Sequence, residues 1–430
     1  MDNYSKRLNL VIPGGAHTYS RGDDQYPENA PQILLKGEGA YVWDTKGNKF
    51  LDYGMALRSV TLGYSYAPVA KAAYEQILNG NNLTRASLIE LEAAELLTNL
   101  IGTDMVKFAK NGSSVTSAAL KLARAYTGKK YIAICAQHPF FSFDDWFIGS
   151  TPITKGIPEE VSSLTLKFNY NDIDSLKDIF AKYPRQVAAV MLEPATTVGP
   201  ENNFLHQVKD LCEQNGSVFI LDEMITGFRW DLQGAQKYFD IKPDLCTFGK
   251  GMANGFSVAA LAGKKEIMNL GSIKNEGEER VFLISTTHGA EMCGLGAFVK
   301  TIEVYKQLDV IRHLWTYGTK LIEGINAISR SYGIYEYFYA EGYPCSPNYI
   351  TKNKSGEMSL ALRTLFSQEM IKNNVLIPWI SLSYSHDEKE LEITLEAVEK
   401  ALKIYAIALE EGTEKYLKGA VIRPVFRKYN

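Results

Sequence analysis

DLCTFGKGMANGF, residues Asp244 to Phe256, places one lysine between two glycines directly after a short apolar run of strand length. Read as a strand of an α/β sheet, LCTF delivers Lys250 to its carboxyl end, the side of such sheets where ligands bind. The surrounding sequence supports that frame. Between roughly residues 50 and 290, strand-length apolar runs alternate with helix-period segments, the pattern of a mostly parallel sheet. VKFA, YIAIC, VAAVML and VFILD are further candidate strands, and Asn111, Glu193 and Asp222 stand at or just past their ends. From about residue 291 the pattern turns helical, through EMCGLGAFVKTIEVYKQL and VIRHLWTYGTKLIEGINAI. The C-terminal part adds a few strand-like runs and the helix-like KELEITLEAVEKALKIYAIAL.

Bulk properties narrow the function classes. A chain of 430 residues, 46% hydrophobic and 22% charged, has enough apolar material for a large core and two or three domains. Lys+Arg 46 against Asp+Glu 49 leaves a formal charge of -3 with no long like-charged block, which argues against nucleic acid as a partner. No run approaches the ~18 apolar residues of a membrane span, and MDNYSKRLNL lacks a signal-like apolar region, so the expectation is a cytoplasmic protein that does not engage membranes. Five scattered cysteines without CxxC, and six histidines without HxxxH, predict neither a disulfide framework nor a zinc site.

Three segments carry chemistry. In NGSSVTSAALKLARAY, Val115, Ala118, Ala119, Leu122, Ala123 and Tyr126 follow helical spacing. The helix is therefore expected to begin at Ser113 or Ser114 with serine as its cap, and its N-terminus offers N–H groups and hydroxyls to an anion. An ordinary Ser-capped helix reads the same way. In SVFILDEMITGFR a buried strand ends on Asp222 and Glu223, and a buried carboxylate wants a partner. A metal lacks a nearby histidine; a cationic ring nitrogen fits, and a structural carboxylate capping the next loop fits too. Lys250 suits an amine that must lose its proton, with Gly249 and Gly251 leaving room for a flat ligand. A Schiff-base lysine, an aspartate for a pyridinium nitrogen and a helix N-terminus for a phosphate are together the handles of pyridoxal phosphate. The spacing of GKGMANG does not match a GxGxxG nucleotide loop.

IPGGAHTYSR, GAYVWDTKGNKFLDY, NGSSVTSAALKLARAYTGKK, LDEMITGFRWDLQGAQKYFDIKPDLCTFGKGMANG and LSYSHDEKELEITLEAVEKAL resemble class III aminotransferases of fold type I nearly end to end. Within that class they are most similar to the glutamate-1-semialdehyde 2,1-aminomutase subgroup. The resemblance implies a large domain over residues 51–310, with a mostly parallel seven-stranded-type sheet. It also implies a smaller α+β domain built from both chain ends, residues 1–50 and 311–430. It further implies that Lys250 forms the Schiff base with pyridoxal 5'-phosphate, that Asp222 pairs with the ring nitrogen, and that Gly112, Ser113 and Ser114 hold the phosphate. Gln137, His138 and Glu193 fall at the cofactor ring. Thr286, after a further strand-like run in ISTTHGAE, is implied to reach the phosphate of the other subunit in a homodimer with shared sites. Arg21 is implied to anchor a substrate carboxylate, and Arg229 and Glu223 are assigned to structure.

Departures from the pattern lie on the substrate side of the cofactor. Gln137-His138-Pro139 replaces Tyr-His-Gly, leaving Phe140 or Phe141 to stack on the ring. Val198 stands where the aminomutase has asparagine, and STTHGAE replaces Thr-x-Ser-Gly-Asn-Pro. The expected activity is transfer of an amino group from a small-molecule donor to a carbonyl acceptor. Intramolecular isomerisation of glutamate-1-semialdehyde is the alternative, and a cofactor-binding regulator without turnover is a third.

Overall fold

The computed structural model of the protein describes residues 3–430. Its strands, in chain order, are β1 (Leu34–Glu38), β2 (Tyr41–Asp44), β3 (Lys49–Asp52), β4 (Met105–Ala109), β5 (Tyr131–Cys135), β6 (Thr165–Phe168), β7 (Val187–Leu192), β8 (Val218–Asp222), β9 (Leu245–Phe248), β10 (Ala259–Gly263), β11 (Phe338–Tyr343), β12 (Ser346–Thr351) and β13 (Val375–Leu376). The chain divides into two compact units. One takes the residues up to Tyr66 with Arg312–Arg427; the other takes Ala67–Ile311 with Lys428–Asn430.

The Ala67–Ile311 unit is built on a seven-stranded sheet of order β4-β10-β9-β8-β7-β5-β6. β5, β6, β7, β8 and β9 pair in parallel, while β10 runs antiparallel to both β4 and β9, so β4 points the same way as β9. Every residue of β7, β8, β9 and β10 is buried, which is why these runs read as continuously apolar rather than alternating: helices cover both faces. The helix Ile173–Lys182 contributes Leu176 and Phe180, and Phe204–Gln214 contributes Phe204, Leu205, Val208 and Cys212, at helical spacing. All of them pack in one cluster with Ala133, Phe168, Val190, Phe219 and Leu221 of the sheet. Each such side chain is worth about 1.5–3 kcal/mol on leaving water.

Two strands escape the sequence pattern. β6 is short, and β10 is AALAG, whose small residues carry no β-branched signal. The strand expected ahead of Thr286 does not form. Residues 272–291 hold neither helix nor strand, and Ile284 sits at φ 37°, a left-handed conformation that breaks an extended run.

The other unit holds the mixed sheet β1-β2-β3-β13 and the hairpin β11–β12. Val42, Phe50, Ile371 and Leu376 form one of its core clusters. Its long helix Glu388–Glu411 starts on an Asp387/Glu390 capping box, which satisfies backbone N–H groups of the first turn reciprocally. No helix among the described residues is long and apolar enough to cross a membrane.

Candidate active site

The strand order sets the site. The carboxyl ends of β4, β9, β8, β7 and β5 share one edge of the sheet, and there the chain presents Asn111–Gly112, Lys250, Asp222, Glu193 and Gln137–His138 respectively. Register places Asp222 directly opposite Thr247, three residues before Lys250, and aligns Leu192 with Leu221 one residue before each acid.

Asp222 is buried to 2% exposure. Its Oδ1 accepts from the Met224 amide at 3.0 Å and from the Thr247 hydroxyl at 2.9 Å; its Oδ2 accepts no hydrogen bond among the described residues. Burial raises its pKa to about 6, against the pull of the Lys250 charge and the two hydrogen bonds. A buried carboxylate with one oxygen left open, within the field of an ammonium, is suited to a cationic ring N–H. Lys250 opens the short 3-10 turn Lys250–Ala253 at φ 41°, a strained conformation for a residue with a side chain.

Glu223, the next residue, is fully enclosed instead. The Thr226 hydroxyl and the Ala235 and Gln236 amides, at 2.9 and 2.6 Å for the amides, donate to its two oxygens. Gly234, at φ 90°, gives it room: a Cβ there would lie 2.8 Å from its carboxylate. Burial lifts its pKa to about 7 despite those donors.

The helix Gly112–Thr127 starts one residue earlier than its serines suggest. Asn111 is the cap, its Oδ1 accepting from the Ser114 amide at 2.9 Å and the Ser114 hydroxyl at 3.1 Å. Asparagine competes with serine for this position on equal terms. The Ser113 hydroxyl is buried and accepts from the Phe143 amide at 2.9 Å. The glycines have a packing reason as well. A Cβ on Gly112 would stand 3.0 Å from the Met224 sulfur and one on Gly249 2.6 Å from it, so one thioether occupies the space that both glycines leave. Thr247 and Met224 thus belong to the site, although nothing near them in sequence marks them beyond a hydroxyl inside an apolar strand.

His138 is buried and neutral, its pKa pushed down to about 3 by burial. Nδ1 accepts from the Glu193 amide at 2.9 Å, which assigns the proton to Nε2, a buried atom with no hydrogen-bond partner. Phe141 and Tyr170 flank the ring at 5.9 and 5.2 Å. Gln137 is drawn to its own side, accepting from the Tyr170 amide and donating to Asn169, each at 2.9 Å. Glu193 is buried; Val198 and Phe140 are exposed. Thr286 lies exposed on the irregular segment, its hydroxyl unbonded among the described residues.

The chain is similar to known proteins over nearly its whole length. The family model for aminotransferase class-III matches residues 24–354. The chain belongs to the class III aminotransferase family. It is 30% identical over 414 residues to the glutamate-1-semialdehyde 2,1-aminomutase of Alkaliphilus oremlandii (strain OhILAs), covering 92% of this chain and 96% of that one. It is likewise 30% identical over 403 residues to the 3-aminobutyryl-CoA aminotransferase of Cloacimonas acidaminovorans (strain Evry), covering 91% and 94%. The solved structure of Sphingopyxis sp. MTA144 FumI in its PLP internal aldimine form superposes with a TM-score of 0.86 at 26% identity, covering 97% of both chains. This class III aminotransferase is therefore a fold type I enzyme of amino-group transfer that uses pyridoxal 5'-phosphate. The sheet edge fits that cofactor: an amine at Lys250, an open carboxylate oxygen at Asp222 and a capped helix N-terminus at Gly112.

Arg21 belongs to the other unit. It ends the 3-10 turn Tyr19–Arg21, is exposed, and its guanidinium makes no hydrogen bond or ion pair among the described residues. It lines a cavity of about 570 Å3 with Tyr26, Tyr64, Leu57 and Trp379. Part of the wall is unusual. Met55, Ala56, Leu57 and Arg58 take φ 39°, 48°, 61° and 70°, a left-handed turn without a glycine. Left-handed geometry costs about 1–2 kcal/mol per residue, and it is held by Asp52, which accepts from the Gly54 and Met55 amides and the Tyr64 hydroxyl at 2.7, 3.1 and 2.7 Å.

Proposed function

We propose that this class III aminotransferase moves an amino group from a small-molecule donor to a separate carbonyl acceptor, with Lys250 and Asp222 at the centre of the chemistry. The observation that carries the assignment is Asp222: buried, hydrogen-bonded through one oxygen only, and electrostatically coupled to Lys250. Pyridoxal phosphate, when bound, supplies the electron sink for the donor's α-carbon. Asp222 keeps a proton on the ring nitrogen. Lys250, as a neutral amine, would carry the proton between the donor's α-carbon and the cofactor. Gly112 and Ser113 would hold the phosphate through backbone amides at the positive end of the Gly112–Thr127 helix, and Ser114 would join them by exchanging its bonds to Asn111 for the phosphate. Gln137, His138 and Glu193 border the ring, and Arg21 receives the anionic end of the substrate.

A separate acceptor is favoured over isomerisation within one molecule by Val198, an exposed apolar side chain where the aminomutase pattern has asparagine. The two relatives at 30% identity have different named activities, so overall similarity does not choose between them. The test is a pair of half-reactions. The aldehyde-form spectrum should disappear with an amino donor and return only when an external carbonyl compound is added. Formation of 5-aminolevulinate from glutamate-1-semialdehyde without an external acceptor would replace this reading by the aminomutase.

We further infer a homodimer with shared sites, in which Thr286 donates to the phosphate held by the other chain. In support, the helices Ala67–Leu78 and Leu88–Ile101 expose Tyr74, Ile77, Leu78, Leu88 and Leu91 at helical spacing, apolar surface that a partner subunit would cover. Mixed Lys250→Ala and Thr286→Ala chains, at limiting cofactor and with subunit exchange verified, should exceed the activity of either parent. Five free cysteines fit a cytoplasmic, reducing compartment.

A further inference from the structure

The C-terminal residues that follow the helix Glu388–Glu411 return to the segment that carries Arg21, within the same unit. Their course is fixed at three places. Gln368, fully buried, clamps the chain by its side-chain amide, donating to the Tyr416 carbonyl at 3.0 Å and accepting from the Lys418 amide at 2.7 Å. The buried Thr364 hydroxyl accepts from the Ile422 amide at 3.1 Å. The chain then reaches the turn Asp23–Gln25. There the Arg423 amide donates to the Asp24 carbonyl at 2.9 Å, and the Gln25 side chain donates to the Arg423 carbonyl at 2.9 Å. The Arg427 guanidinium meets the Asp24 carboxylate at 2.7 Å. Gly419 passes so close to Glu28 that a Cβ there would lie 2.1 Å from its carboxylate.

The segment so gripped begins two residues after Arg21. Arg21 itself sits in a short 3-10 turn closed by Arg21 N–H to Thr18 and Gly22 N–H to Tyr19, each 2.9 Å, and two such turns have little stability of their own. We propose that residues 416–427 form a strap whose Arg427–Asp24 ion pair and Arg423 backbone bonds position Arg21 for the substrate's anion. Arg427 and Asp24 are positioning residues: they touch neither cofactor nor substrate, and they act by holding the next turn in one place. The inference rests on the reading of Arg21 as the anion handle.

Kinetics of the holoenzyme test it, with a carboxylate-bearing acceptor and a neutral carbonyl acceptor assayed side by side. Arg427→Gln should raise KM for the carboxylate acceptor about tenfold, below the roughly hundredfold that a 1 Å misplacement can cost, with kcat, the cofactor spectrum and the neutral acceptor unchanged. The reversal Asp24→Arg with Arg427→Asp should recover most of the loss, because the pair is remade with opposite sign. Hydrogen exchange over residues 19–26 should quicken in Arg427→Gln and slow again in the reversal. If Arg21→Ala raises that KM while Arg427→Gln leaves both KM and exchange unchanged, the strap does not position Arg21. If Arg21→Ala itself leaves the KM unchanged, the anion-handle reading fails and the strap's functional role falls with it; faster exchange in Arg427→Gln would then mark a purely structural tie.

Discussion

The proposed handles for the cofactor and the proposed handle for the substrate are built in opposite ways. Asp222 and Lys250 stand at the ends of strands whose every residue is buried, and their neighbours Thr247 and Met224 are fixed by sheet register and by packing against two glycines. Arg21 stands exposed on a 3-10 turn, near four residues held in left-handed geometry by a hydrogen-bonded carboxylate. In the proposed function, a reaction common to many substrates is served by the rigid region, and choice among substrates is left to the turn-built one, where small changes of sequence alter shape without disturbing the core.

The largest effect should come from the rigid region. Lys250→Ala removes the amine proposed to move the proton, and turnover should fall by about four orders of magnitude, the upper range for a positioned general base. Stopped-flow spectra of the donor half-reaction check this, and added small primary amines should restore part of the rate. A variant retaining a tenth of wild-type turnover would place the base elsewhere.

Asp222→Asn should come next. A carboxylate about 4 Å from a ring nitrogen is worth ~4 kcal/mol at an effective dielectric near 20, so its loss should cost about a thousandfold in turnover while cofactor is still bound. The same residue gives a pH signature. Its pKa stands at about 6, raised by burial. Above that pH the carboxylate is charged and can pair with a protonated ring; below it the neutral acid cannot. Cofactor affinity, measured by equilibrium dialysis, should therefore fall as pH drops through 6, and the fall should vanish in Asp222→Asn.

Glu223 sharpens the comparison from inside the rigid region, since it is as buried as its neighbour and faces no open oxygen. Glu223→Gln replaces an acceptor with an amide that cannot satisfy three donors, and should cost about 1–3 kcal/mol of stability with little change in cofactor spectrum. The sign of the pH dependence follows from its raised pKa, about 7 against a usual 4.5. The folded state favours the protonated acid, so its stabilising contribution is full below 4.5 and is lost as pH rises through 7. The stability gap between wild type and Glu223→Gln in urea melts should narrow from pH 5 to pH 8. A constant gap would show that Glu223 does not titrate in that window.

What could be read from the sequence follows the same division. β5, β7, β8 and β9 are legible because burial on both faces leaves near-continuous apolar runs, with Asp222 and Lys250 as charges ending two of them, whereas β4, only partly buried and interrupted by Lys107, gives a weaker run. The Asn111 cap was obscured by two serines with equal claim to the position. Gly249 looked like space for a ligand, but the Met224 thioether that fills it approaches from another strand end, a contact no local pattern encodes. MALR, residues 55–58, has right-handed helical propensity throughout; Asp52 and Tyr64 are tied to the left-handed turn through hydrogen bonds from positions outside it, which its own sequence does not encode. The strap of residues 416–427 depends on contacts nearly 400 residues apart in sequence, beyond any periodicity.

The smallest kinetic effect, and the one that tests the substrate side of the comparison, belongs to Arg21→Lys. Guanidinium presents a planar fork to a carboxylate or phosphate; an ammonium keeps the charge and loses the fork. Among the described residues the cavity that Arg21 lines has no other lysine or arginine side chain, so none in its lining stands in for the fork. KM for a carboxylate-bearing acceptor should rise about tenfold, the equivalent of 1.4 kcal/mol, with kcat and the cofactor spectrum unchanged, as expected for binding energy expressed equally in ground and transition states. Arg21→Ala should raise it further, and a neutral carbonyl acceptor should respond to neither variant. Were Arg21→Lys to lower kcat for anionic and neutral acceptors alike, Arg21 would belong with the cofactor handles, and the division between a rigid region for chemistry and a turn-built region for selection would not hold.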